Sequence, residues 1–200
     1  MSISVSRAVP ALLLSVLLPA GTVALAAPAH ADRWTYDDAV GDVTHMVETA
    51  TSLSVETAPE QANGDITQTV IQHRGTKVVV ELRTRTPITG AFGVNAAVRT
   101  PDQRYLVMSV RMPGMGGTHL MTLADKPDRR CKGLKRKLVA GKTAVRLTIP
   151  RSCIGDPRWV RVGVGLTTFG LFTGESYDDD GLRTASPLFG MPAMSPKIKR

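Results

Sequence analysis

From Lys77 to Arg85 the chain reads KVVVELRTR, with Val78, Val80 and Leu82 set against Val79, Glu81 and Arg83. A period of two is that of a half-buried strand, because successive side chains point to opposite faces. The same period recurs along most of the chain. DITQTVIQ (65–72) stands before this segment across the tight turn His73-Arg74-Gly75-Thr76, and VNAAVRT (94–100), YLVMSVRM (105–112) and HLMTLAD (119–125) follow it. LKRKLVA (134–140), TAVRLTI (143–149) and WVRVGVGLTTF (159–169) complete the set. The connections TPDQ, MPGMGG, AGKT and GDPR are short and rich in turn formers. No segment sustains a 3.6-residue period, and only Ile149–Pro157 has room for a short helical turn. Parallel architecture is excluded, since nothing could serve as a crossover helix. The pattern predicts an all-β fold, an antiparallel, jelly-roll-like β-sandwich of about 8–10 strands in one domain over 32–190. Residues 191–200 combine two prolines with Lys197, Lys199 and Arg200, which predicts a basic, flexible tail.

Residues 1–31 differ in kind. Arg7 is their only Lys, Arg, Asp or Glu, and the apolar run AVPALLLSVLLPAGTVALAAP follows it. The run closes on Ala29-His30-Ala31, a small-x-small cleavage pattern that predicts a signal peptide removed after Ala31. Pro10, Pro19 and Gly21 interrupt the run and no stop-transfer charges follow, so no transmembrane segment is expected after cleavage. The protein is therefore expected outside the cell. In that oxidising setting the only two cysteines, Cys131 and Cys153, predict one disulfide and leave no thiol for chemistry. They lie almost symmetrically about Ala140-Gly141-Lys142-Thr143, at the open end of a hairpin. Leu138 opposite Val145 and Leu134 opposite Ile149 put the cysteines one residue out of register, an offset that a bulge or the irregularity at Pro150 could absorb. A bridge closing a loop of this length is worth about 3 kcal/mol in the chain-entropy picture.

Charge narrows the partners. Lys and Arg number 25 against 17 Asp and Glu, and the pI is about 9.9. An exported protein has no nucleic acid as its expected target, so the excess implies a polyanionic neighbour such as an anionic cell-wall polymer or membrane surface, with an anionic polymer or a glycan as the expected ligand, or else plain solubility charge. KGLKRK concentrates Lys132, Lys135, Arg136 and Lys137, which reads as a polyanion patch or as an edge strand guarded by lysine. In WVRVGVGL, Val160, Val162, Val164 and Leu166 must face the core. Trp159 then shares the other face with Arg161, Gly163 and Gly165, as a ligand platform or as a cap on the core.

DDAVGDV, NGDI, a strand ending in His73, and IPRSCIGDPRWVRVGVG together resemble a group of exported actinobacterial proteins of unknown function. More distantly, the D-x-x-G-D opening followed by an Asp-Ile strand resembles β-sandwich modules of the family-nine carbohydrate-binding and DOMON-like type. That resemblance implies a jelly-roll-like sandwich, a ligand-binding role, and a structural calcium ion falling on Asp37 and Asp42.

TYDDAVGDVT (35–44) has a counterpart in SYDDDG (176–181). Calcium takes six to eight oxygens, so two such clusters would have to share one ion, with Asp178 or Asp180 joining Asp37 and Asp42. The other reading makes both clusters solvated acidic turns, with Asp42 accepting backbone N–H groups after Gly41. Catalytic patterns are sparse. His45, His73 and His119 show no H-E-x-x-H spacing, there is no G-x-S-x-G, and His73 suits a hydrogen-bonded structural role. The expectation is a secreted, non-catalytic binding module at or outside the cell envelope, with calcium the one cofactor the pattern admits. The alternatives are an interaction protein for another exported protein, or a hydrolase without a recognisable motif.

Overall fold

The computed structural model describes residues 32–122, 131–171, 173–184 and 191–200, so the predicted signal peptide lies outside the described residues. Alternation becomes strand wherever it is seen among the described residues; 123–125 of the expected HLMTLAD strand lie outside them. β4 (Ile66–His73), β5 (Lys77–Thr84), β6 (Ala91–Arg99), β7 (Arg104–Met112), β8 (Met115–Thr122), β9 (Lys135–Val139), β10 (Ala144–Pro150) and β11 (Trp159–Phe169) all match expected segments. The expected loop at MPGMGG shrinks to a tight turn, because Met112 pairs with Met115 and Gly114 takes a positive φ of 73°. Short 3₁₀ turns occupy Ala140–Lys142 and Arg151–Ile154.

Five strands lie outside the eight segments read from the pattern: β1 (Asp32–Asp37), β2 (Thr44–Glu48), β3 (Leu53–Thr57), β12 (Glu175–Asp180) and β13 (Ile198–Lys199). Their composition hid them. β12 reads ESYDDD, and aspartate is depleted in strands, yet it is held between β2 and β11. The second acidic cluster is thus a strand and not a turn. The closing segment is likewise no free tail. Ile198 is buried, β13 pairs with β11, and Ser195 N donates to Val162 O at 2.9 Å.

The strands form two antiparallel sheets. Sheet A runs β1-β4-β5-β10-β9, and sheet B runs β3-β2-β12-β11-β6-β7-β8, with β13 added beside β11. Ile71, Val78, Val80, Leu82, Leu147 and Ile149 from sheet A meet Phe92, Val94, Val107, Val162, Val164 and Leu166 from sheet B in one buried cluster. Sandwich cores take this form because each sheet must bury one face against the other. His73 is buried, with Nδ1 3.1 Å from Ile198 O, in the structural role expected for it.

Cys131 and Cys153 are bonded, with Cα atoms 5.7 Å apart. Leu138 faces Val145 in the β9–β10 ladder, as the hydrophobic pattern required. The 3₁₀ turn at Arg151–Ile154 absorbs the one-residue offset and brings Cys153 to its partner.

Candidate functional site

The outer face of sheet A is built by the same alternation that builds the core. Where Val78, Val80 and Leu82 point inward, Lys77, Val79, Glu81 and Arg83 point outward. Register then aligns them across strands. One row runs Arg33, Gln72, Val79, Thr148, Lys135, and the next runs Val70, Glu81, Arg146, Lys137. With Arg74, Lys77 and Arg83 these residues line a depression of about 450 Å³ that holds seven cationic side chains and one carboxylate. Val70 and Val79, though outward-facing, are buried, which fits a surface covered by long aliphatic stems with their charges held up to solvent.

Among the described residues that line the depression, Glu81 is the single counter-charge. Its Oε2 accepts from Arg146 Nε at 2.9 Å and Nη2 at 2.5 Å, and its Oε1 accepts from Arg83 Nε at 3.3 Å. Burial alone would push this carboxyl up, but the Arg146 and Arg83 guanidiniums outweigh it and hold it below the usual range. Among the described residues, Arg33, Arg74, Lys77, Lys135 and Lys137 form no ion pair.

The basic stretch divides between two faces. Lys135 and Lys137 reach the depression, while Lys132 sits exposed in the turn after Cys131. Arg136 points to the other side, with its guanidinium carbon 4.9 Å from the centre of the Phe92 ring. Burial, with Arg111 nearby, pulls its pKa down. β9 is also the edge strand of sheet A, so the lysines that reach the depression also guard that edge. Arg33, Arg74, Lys77, Arg83 and Arg146 were missed because they are dispersed over four segments that only pairing brings together. The outward positions of KVVVELR were the available signal.

Trp159 and Arg161 do lie opposite the buried face of β11, but the chain itself covers them. Lys197 Nζ stands 4.7 Å from the Trp159 ring centre, and Arg161 Nε donates to Ser195 O at 2.7 Å. The carbonyls of Pro192 and Ala193 press so close to Gly163 that a Cβ there would meet them at 2.7 and 2.6 Å. The expected platform is therefore occupied by residues 192–199.

The acidic residues sort differently from expectation. Asp37 is exposed and accepts from Gln68 Nε2 at 2.6 Å. Asp178 accepts from Thr167 and Ser176 hydroxyls, and burial pushes its carboxyl up. Asp180 is tied to Arg183 Nε at 2.6 Å and to the amides of Ala193 and Leu182. Only Asp42, of the four expected ligands, joins a carboxylate cluster, and its companions there are Asp65 and Asp179. One oxygen from each of these three lies within 4.8 Å of the others. Asp42 comes from the β1–β2 connection, Asp65 stands just before β4, and Asp179 is on β12. Gly41 N donates to Asp65 Oδ2 at 3.0 Å, and Ile66 N donates to Asp179 Oδ2 at 2.6 Å. Asp65 and Asp179 were missed because NGDI and YDDD each offer several polar residues, and strand alternation chooses among them.

Comparison of the chain with protein-family models, with curated proteins and with solved structures finds no match.

Proposed function

We propose that this protein is an exported, non-catalytic binding module that holds an anionic polymer across the outer face of sheet A. One observation carries the reading: a depression of about 450 Å³ with seven cations and one carboxylate, which is itself committed to two arginines. Strands 4.7–4.9 Å apart and outward residues roughly 6.7 Å apart along each strand give a two-dimensional lattice of positive charge. Such a lattice suits a repeating chain of phosphates or carboxylates, and arginine forks favour both. Export rests on the leader pattern of residues 1–31. Among the described residues no histidine lines the depression, and the clustered Asp42, Asp65 and Asp179 are too buried for a polymer to touch. A binding role therefore fits better than hydrolysis.

The test is titration with polyphosphate, poly-glutamate and neutral dextran, for the wild type and for a Lys77→Gln/Lys135→Gln/Lys137→Gln variant. Binding of the two polyanions but not dextran, lost in the variant, supports the reading. Polyanion binding that the variant retains, or none at low salt, refutes it. A second reading, recognition of another exported protein, has one observation in its favour. Met46, Leu53, Met112, Phe169 and Leu171 line an apolar depression of about 600 Å³, with Leu53 and Leu171 exposed.

A further inference from the structure

Asp42, Asp65 and Asp179 are 8%, 0% and 2% exposed, and the half-buried Asp38 precedes Asp42 on the same β1–β2 connection. Carboxylates so deeply buried are costly unless their charge is met. Arg85 brings one cation to the group, with Nη1 3.5 Å from Asp65 Oδ2. Donors reach only part of the group. Among the described residues, Asp65 Oδ1 and Asp179 Oδ1 are buried and accept no hydrogen bond, as is also true of Asp38 Oδ2. Their partner oxygens, by contrast, hold the amides of Gly41 and Ile66, which fixes the carboxylate planes. The orphaned carboxylate oxygens leave a place for a positive charge.

We propose that Asp42, Asp65 and Asp179, joined by Asp38, form a site for a calcium ion that clasps the two sheets together. Oxygens 2.3–2.6 Å from one ion stand up to about 5 Å apart, and the three carboxylates meet that limit. An all-oxygen, anionic donor set selects a hard dication and has no nitrogen or sulfur ligand to favour zinc or copper. Calcium is preferred to magnesium because it gives up its water readily and accepts irregular, bidentate carboxylate geometry, as a buried group of this kind offers. The clasp follows from the topology. Asp65 leads into β4 of sheet A, Asp179 belongs to β12 of sheet B, and Asp42 lies on the chain that crosses between them. This site is separate from the basic face, so either proposal can fail alone.

The experiment uses the protein expressed from its full sequence, stripped with chelator and returned to calcium, magnesium or sodium chloride. Melting temperature and calorimetric binding are both read. The expected result is stoichiometric calcium binding and a melting temperature that climbs with the logarithm of free calcium, with a weaker magnesium effect and none from sodium at equal ionic strength. Asp179→Asn and Asp42→Asn should abolish both responses. Metal-free Asp179→Asn should melt no lower than stripped wild type, because it removes an uncompensated buried charge. Asp37→Asn, which alters an aspartate outside the cluster, should respond as wild type. A stripped wild type that neither binds calcium nor shifts at millimolar concentration overturns the proposal. So does a calcium response that survives in both Asp42→Asn and Asp179→Asn.

Discussion

Replacing Glu81 by Gln should make the protein bind polyanions more tightly while folding less stably. Among the described residues the side chain is the only negative group on a face of seven positive ones, and it holds two of them, Arg83 and Arg146. An anionic repeat about 7 Å from Glu81 feels a repulsion of about 0.6 kcal/mol in water and about 2.4 kcal/mol at an effective dielectric of 20. The open depression puts the effect toward the lower figure. With two guanidiniums released to the ligand, the gain is about 1 kcal/mol, or roughly fivefold in Kd at low salt. The slope of log affinity against log salt should also steepen by about 0.7–0.9 for the added net charge. Folding moves the other way. Arg83 and Arg146 are about half exposed, so losing both pairs costs no more than about 1 kcal/mol after solvent screening. The pH sign is fixed by the depressed carboxyl. A group held below its ordinary range contributes stability above its unfolded pKa and loses it as pH falls through the folded value. The stability gap between wild type and variant should therefore close below about pH 4 and stay constant from pH 6 to 8. Calorimetric titration with polyphosphate at 50 and 200 mM salt, with melts across that pH range, reads both effects. An unchanged or weaker affinity, with the lower stability observed, would show that the polymer does not use this face.

Four further outcomes are expected. Lys135→Gln/Lys137→Gln should weaken polyphosphate binding and flatten its salt slope by about 1.4–1.8, two charges' worth. Lys132→Gln/Arg136→Gln should leave the slope nearly unchanged, and Arg136→Gln should lower the melting temperature by removing its contact over Phe92. Equal loss in both pairs, seen in the salt slopes, would count against the division of the stretch between two faces. Gly163→Ala should detach the closing segment, since its Cβ would meet two backbone carbonyls below 3 Å. Faster trimming by trypsin at Lys197 and Lys199 and a red-shifted Trp emission would register this, and an unchanged digest would contradict it. Intact mass of secreted protein should match a chain that starts at Asp32 with its two cysteines bonded; two alkylatable thiols or a retained leader would refute that reading.

The sandwich was legible because alternation is a local property. KVVVELR and WVRVGVGL state which side chains face inward, and the structure places them so. Low β-propensity hid the acid-rich β12, and Met191–Arg200 offers no alternation at all. Both become ordered through pairing with β11, a neighbour the local sequence does not name. The site followed the same division. Lys135 and Lys137 were readable as one patch, whereas Arg33, Arg74 and Arg146 come from distant segments that register alone aligns. For the acidic residues, counting carboxylates in a stretch found Asp42 and passed over Asp65 and Asp179. In YDDD the central Asp179 turns into the cluster, while Asp178 and Asp180 on the alternate side satisfy Thr167, Ser176 and Arg183.

The two proposed sites share a mechanical logic. A polyanion-binding face gains affinity when its charges are already held in place, because ordering long side chains and shifting strands on binding is costly. Sheet A is fixed at both flanks. At β9–β10 the Cys131–Cys153 bridge closes the hairpin that carries Lys135, Lys137 and Arg146. At β4 the Ile66 amide is held by Asp179 from the opposite sheet, and Thr69 Oγ1 donates to Gly181 O at 2.8 Å. A cation bound among Asp42, Asp65 and Asp179 would tighten that second flank without touching the ligand. Calcium removal should then weaken polyphosphate binding only modestly and chiefly through a faster off-rate, because the face keeps its charges and loses only its rigidity. An equally large loss in the on-rate would mean that the ion shapes the ligand's electrostatic approach, and that the face and the clasp are one site.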